Sequence, residues 1–266
     1  MIRPNWSRCV FLAWAVSLAC SSILAGTSNT AGGKQASVVY WFQNLSGSLA
    51  GQSSGGQMSA DITAEGNAQQ GYAFTLKTLG SFTLDFIYAP LMSDSTFSSN
   101  QNFTFAGTQF GNVSDGNLRY RMPIFEGALR YIILDNRWFR LSTAAVLKVA
   151  QADVTLSSNN VTKAFQHTIP IPMLGVSGQV NATDWLKAYG SVKMFDVTIG
   201  SVECRVDDWE VGAMADMNPS FIPTTLRMAT GYRTLGVLLA TEKNQPDEAA
   251  LDIRHSGPFA EMSLAF

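Results

Sequence analysis

The chain ends on Phe259-Ala260-Glu261-Met262-Ser263-Leu264-Ala265-Phe266. In a strand, successive side chains point to opposite faces. Ala260, Met262, Leu264 and Phe266 therefore share one face, while Phe259, Glu261, Ser263 and Ala265 share the other. One face is apolar, and its last residue is an aromatic that closes the whole sequence. A soluble sandwich has little reason to end in this way.

Working back from this end, the same alternation recurs. Phe82, Leu84, Phe86 and Tyr88 oppose Thr83 and Asp85. Phe125, Gly127, Leu129 and Tyr131 oppose Glu126 and Arg130. Leu141, Thr143, Ala145 and Leu147 oppose Arg140, Ser142 and Lys148. Ala188, Val192 and Met194 oppose Lys187 and Lys193, Trp209 and Val211 oppose Glu210, and Met228 and Tyr232 oppose Arg227 and Arg233. Lipid outside and a polar lumen inside impose such a pattern. A soluble lipocalin-like barrel with the faces exchanged alternates equally well. Sparse charge, a terminal Phe and aromatics near strand ends (Trp41, Tyr88, Tyr131, Trp138, Trp185, Trp209) favour the membrane, where aromatics form interfacial girdles.

Beyond the first two dozen residues the sequence has no run of 18 apolar residues, so no helix there is expected to span a bilayer. A strand protein in lipid must close, because closure satisfies every backbone group. The expected fold is all-β: a closed antiparallel up-and-down transmembrane barrel of about ten strands, with eight as the rival count. The predicted strands are 37–50, 70–79, 81–96, 117–134, 137–156, 165–181, 184–199, 206–217, 224–241 and 250–266. Short turns at 79–81, 134–137 and 181–184 alternate with longer polar connections, of which 51–70 and 97–116 read as loops. Pro123, Pro170 and Pro172 cannot donate to a ladder. A bulge is expected at Pro123, which would reconcile Arg119 and Arg121 with the strand below.

Residues 1–25 read as an export signal, with Arg3 and Arg8 ahead of an apolar stretch from Val10 to Ala19. Residues 26–36 read as a short leader and 37–266 as the barrel. Export with cleavage, taken together with the barrel, gives the bacterial outer membrane as the expected destination, and Ser17-Leu18-Ala19-Cys20 hints at a lipidation site. Without Cys9 and Cys20, Cys204 is alone. The net charge of −2 and the scattered Lys and Arg give no footprint for nucleic acid. Charged residues make up only 14% of the chain, against about a quarter in a typical soluble domain.

Candidate functional residues lie on the polar face. Lys77, Asp85, Glu126, Arg130, Arg140, Lys148, Lys187, Lys193, Glu210, Asp216, Arg227, Arg233 and Glu261 are expected to line the lumen. Unpaired charge there is costly, so a salt-bridged plug is expected. A narrow, basic constriction for small solutes is the alternative, and about ten strands leave no room for a large-solute porin. His167 and His255 are the only histidines, and neighbouring strand residues His255 and Ser256 point apart. No catalytic set, metal spacing or cofactor fingerprint is read, leaving a rim hydrolase as a minor alternative. Expected partners are outer-membrane lipid, the assembly machinery and, for the channel reading, a small solute.

Several stretches resemble an uncharacterised family of small bacterial outer-membrane β-barrels: Tyr40-Trp41 with Ser46-Gly47, Leu84 to Leu91, Asn102 to Phe110, Ile169 to Leu174, and Ser256 to Phe259. The terminal Ala260, Met262, Leu264 and Phe266 similarly resemble the insertion signal of such proteins. The resemblance implies a barrel and an outer-membrane location, and no activity.

Overall fold

The computed structural model describes residues 34–53, 56–77, 81–99, 103–105, 108–111, 113–158, 161–199, 202–218, 224–241 and 249–265. The predicted export signal, most of the leader, and Phe266 lie outside them, and of Lys77 and His167 only the backbone is described. The elements are β1 (Lys34–Ser53), β2 (Gly56–Lys77), β3 (Phe82–Ser99), β4 (Phe103–Phe105), β5 (Thr108–Phe110), β6 (Val113–Asp135), β7 (Phe139–Ser158), β8 (Val161–Asn181), β9 (Leu186–Ile199), β10 (Val202–Met217), β11 (Thr225–Thr241) and β12 (Ala249–Ala265). Among the described residues, β4 and β5 form a separate hairpin and the other ten strands close into an antiparallel barrel. The ring is sealed by β1 on β12, from Gln35↔Ala265 to Gly51↔Ala249.

Three expectations are corrected. Residues 51–70 are not a loop: β1 and β2 pair continuously to Ser53↔Gly56. Within 97–116, β4 and β5 pair from Phe103↔Phe110 to Phe105↔Thr108, and Phe110 is buried. Pro123 causes no bulge, because Arg121↔Asp153 and Ile124↔Ala150 keep one register across it. The proline only removes a donor. The register shift in this pair falls lower, between Ile132 and Leu134. The barrel also starts slightly earlier than expected, at Lys34.

Strand length has a consequence. A barrel strand crosses a bilayer in about 9–11 residues, yet these strands run from 14 residues in β9 to 23 in β6. Much of each strand must stand outside the lipid. The side chains mark the boundary. In the half where β1 begins and β12 ends (the near half), β6 exposes Ile133, Tyr131, Leu129 and Phe125, and turns Arg130 and Glu126 inward. In the far half the same strand exposes Arg121, Arg119 and Asp115, and buries Ile124, Met122, Tyr120 and Leu118. Both faces exchange character near Pro123 without any slip in register. β12 does the same. Leu264 and Met262 are exposed below, Arg254 and Asp252 above, while Glu261 gives way inside to Phe259, His255 and Ile253.

The near half thus carries an apolar outer belt, completed by Tyr40, Phe42, Phe86, Leu174, Val192, Val211 and Met228. The far half is built like a water-borne sandwich. Two ladders stop midway: β2 leaves β3 at Tyr72↔Tyr88, and β8 leaves β9 at Leu174↔Met194. Beyond those points β3, β6, β7 and β8 form one sheet, and β9 to β12 with β1 and β2 form the other. Pro90, Pro170 and Pro172 lie on the strands whose second ladder has ended, so their missing N–H groups break no bond there. The two inner faces bury one core that includes Leu45, Leu91, Leu118, Val154, Ile171, Val206, Leu235 and Ile253.

Candidate functional site in the lumen

The inward charges of the near half meet in tiers. The upper tier joins opposite walls. Glu126 on β6 lies beside Lys148 on β7, and Lys193 on β9 beside Asp208 on β10. Across the lumen, Lys148 binds Asp208, and Lys193 binds Glu126 at 2.5 Å. Lys148 also reaches Glu126 at 3.3 Å, and Lys193 reaches Asp208 at 3.6 Å. Arg233 on β11 donates to both Asp208 oxygens, at 3.0 and 2.8 Å. Lys148, Glu126 and Asp208 are almost wholly buried, at 1–2% side-chain exposure. Isolated, each would cost several kcal/mol. Here each carboxylate is held by two or more cations, which offsets that cost.

The lower tier is smaller. Asp216 accepts from Lys187 at 2.5 Å and from Arg227 at 2.6 and 3.0 Å, and Arg227 also donates to Gln35 at 3.0 Å. To one side Arg130 pairs with Asp85 at 2.7 Å. Between the tiers, Glu210 lies beside Tyr189 and Glu261 beside Ser37. Arg140 pairs instead with Asp135 at the near-end turn, 2.8 Å away and half exposed. The structure therefore brings eleven of the predicted lumen residues into or between these clusters and leaves Arg140 at the rim. Asp208, the hub of the upper tier, is absent from the sequence-based set. Its signal was parity, since it lies two residues before inward-facing Glu210.

Above the upper tier the lumen turns apolar. Trp41 is 4% exposed, its indole donating to the Gly257 carbonyl at 3.2 Å, with the Arg233 guanidinium 5.1 Å over its ring. It therefore belongs to no outer girdle, because β1 turns Trp41 inward and Tyr40 and Phe42 outward. Trp138, Trp185 and Trp209 do face outward. Higher still, His255 is buried and stacked on Tyr120, with ring centroids 5.5 Å apart. Its Nε2 has no hydrogen-bond partner among the described residues, and burial pulls its pKa down to about 4. Ser256 points to the opposite face, so the two form no nucleophile–base pair.

Below and beside the upper tier lies a cavity of about 310 Å³. Its walls combine Gln35, Ser37, Tyr189, Glu210 and Glu261 with Ile87, Leu91, Trp41 and Phe259.

This fold and its apolar belt define a transmembrane β-barrel of the outer-membrane type. The crystal structure of the outer membrane protease OmpT from Escherichia coli is similar, with a TM-score of 0.59 at 10% identity, covering 91% of this chain and 99% of that one. The translocator domain of the autotransporter NalP from Neisseria meningitidis gives 0.41 at 9% identity over 96% of both chains. A Pseudomonas aeruginosa FadL homologue gives 0.37 at 10% identity, covering 88% of this chain and 90% of that one. Of these three only the first bears on the fold, and at that identity it bears on nothing else. No family model matches the chain, and no curated protein matches it.

Proposed function

We propose that the protein is a closed, non-enzymatic barrel of the bacterial outer membrane, whose near half anchors it in lipid and whose far half stands at the cell surface for a structural or interaction role. In such barrels the first strand begins and the last strand ends at the periplasmic face. Here β1 begins and β12 ends in the near half, at Lys34 and Ala265, which points the far half outward. Export by the N-terminal signal and insertion by the assembly machinery through the terminal strand belong to the same proposal. The carrying observation is the stopper in the lumen: a tier of ion pairs from wall to wall, with a packed apolar core on it. Water and ions have no reason to enter that core.

The test is planar-bilayer conductance of protein whose folding is verified by heat-modifiable gel mobility. The closed barrel gives no steady ohmic current. A reproducible open level at low voltage would replace it with the narrow-channel alternative.

A further inference from the structure

The near-half cavity offers a site that a stopper alone does not require. Almost all of its lining side chains face the lumen. Among the described residues, the exceptions are Tyr72, Tyr88 and Pro90, which belong to the outer face. They cluster where the β2–β3 ladder ends. There the wall is closed by close packing rather than by a continuing ladder, since the Tyr88 carbonyl and Ala89 lie against Gly71. Pro90 has no N–H to offer β2, and beyond Tyr72↔Tyr88 the two strands exchange no ladder bonds. Parting them at this point breaks no ladder bonds. We infer that this cavity is a binding chamber reached sideways from the membrane between β2 and β3, and that it takes a single-chain amphiphile with an uncharged, hydroxyl-bearing head group.

The lining sets that ligand class. Trp41, Leu91, Ile87 and Phe259 supply an apolar wall beside the opening. Each lining cation is paired: Arg130 with Asp85, Lys193 with Glu126, Arg227 with Asp216 and Arg233 with Asp208 in the lumen, and Arg140 with Asp135 at the near-end rim. An anionic head would find no cation without a carboxylate partner, and the Arg130 Nε and the Thr83 hydroxyl, both buried and without a hydrogen-bond partner among the described residues, suit a neutral acceptor and donor as well. Glu210 and Glu261 form no ion pair among the described residues, and a carboxylate without a cation keeps acceptor capacity. They ask for donors. Among the described inward side chains the carboxylates of Asp85, Glu126, Asp208, Glu210, Asp216 and Glu261 are matched in number by Arg130, Lys148, Lys187, Lys193, Arg227 and Arg233. A cationic head would disturb that balance, whereas hydroxyl groups satisfy the acceptors without doing so. A volume of 310 Å³ lies at the lower end for small-molecule pockets. It suits one chain and a small head, not a two-chain lipid.

The inference rests on the closed-lumen reading only in that the far-half core closes the chamber above, and its test does not use conductance. The folded protein in liposomes is exposed to a diazirine-bearing monoacylglycerol, and the labelled peptides are mapped. Labelling at Trp41, Ile87, Leu91 or Phe259, competed by unlabelled monoacylglycerol but at least tenfold less well by a fatty acid or an alkylammonium of equal length, is expected. Ala229→Trp, which fills the chamber, and Glu210→Gln with Glu261→Gln should each reduce inside labelling several-fold while leaving heat-modifiable mobility intact. Labelling confined to the belt, at Phe86, Leu129 or Met262, would overturn the chamber. Better competition by the charged amphiphiles would overturn the head-group assignment. The route is read separately, with Ala89→Cys in a Cys204→Ser background. A membrane-partitioned maleimide should react with Ala89→Cys faster than a water-soluble sulfonated one. The reverse order would mean that the chamber fills from the aqueous end.

Discussion

At the scale of single residues, Asp208 organises the stopper. It accepts from Lys148 and Arg233 and forms a longer ion pair with Lys193. Asp208→Asn keeps the shape and removes the charge, leaving Lys148 buried with Glu126 alone. Breaking a buried pair in this way costs about 3–5 kcal/mol, to be measured by urea titration of the folded protein. Arg140→Ala breaks a half-exposed pair, and there the loss should stay below about 1 kcal/mol. His255 supplies a pH dependence. Its pKa in the fold is about 4 against 6.5 as its ordinary value, so the fold favours the neutral ring. The resulting stability is complete above pH 6.5 and is lost as pH falls from 6.5 through 4, amounting to about 3 kcal/mol at 1.36 kcal/mol per unit. Urea midpoints measured between pH 7 and 4 should fall, and His255→Phe should flatten that slope. A slope unchanged by the substitution would assign the acid sensitivity to other groups. Much at this scale was legible: parity alone turned Glu126, Lys148, Lys193 and Arg233 inward. Which of them meet across the lumen was not, because strand parity carries no information about stagger around a ring.

At the scale of elements, β6 is the informative strand. Its alternation was plain in the sequence, yet alternation has no sign and does not say which face meets water. The burial of Tyr120 and Met122 beside exposed Arg119 and Arg121 supplies the sign for the far half, and exposed Leu129 beside buried Glu126 supplies the opposite one below. Arg119 and Arg121 had suggested a bulge at Pro123, but the strand has simply left the belt. The prolines of β8 have a related explanation. Pro170 and Pro172 lie opposite Val149 and Leu147 on β7, on a stretch that β9 no longer pairs. Where β9 peels away depends on a partner distant in sequence, so no local motif announces it. Position on β6 then sets the cost of a substitution. Leu129→Lys places charge in mid-belt and should cost about 2–4 kcal/mol in refolding into lipid. Arg121→Glu, above the belt, should change the refolding yield little. Equal costs at the two sites would remove the boundary from β6.

At the scale of the whole molecule, one barrel changes solvent on both faces at mid-height. Below, lipid lies outside and charge inside. Above, water lies outside and an apolar core inside, with the β4–β5 hairpin contributing Phe110 to it. The lower half explains a terminal strand with one apolar face. The upper half explains strands twice as long as a bilayer requires. The most direct test is a cysteine series along the outer face of β6, at Asp115, Arg119, Arg121, Phe125, Leu129 and Ile133, in a Cys204→Ser background. Each variant is reconstituted in liposomes and treated with a water-soluble maleimide. The account predicts rapid labelling at 115, 119 and 121 and strong protection at 125, 129 and 133, with the break at Pro123. Uniform labelling would make this a soluble barrel, and uniform protection would put the whole height of the strand in lipid; either result contradicts the reversal on which the account stands.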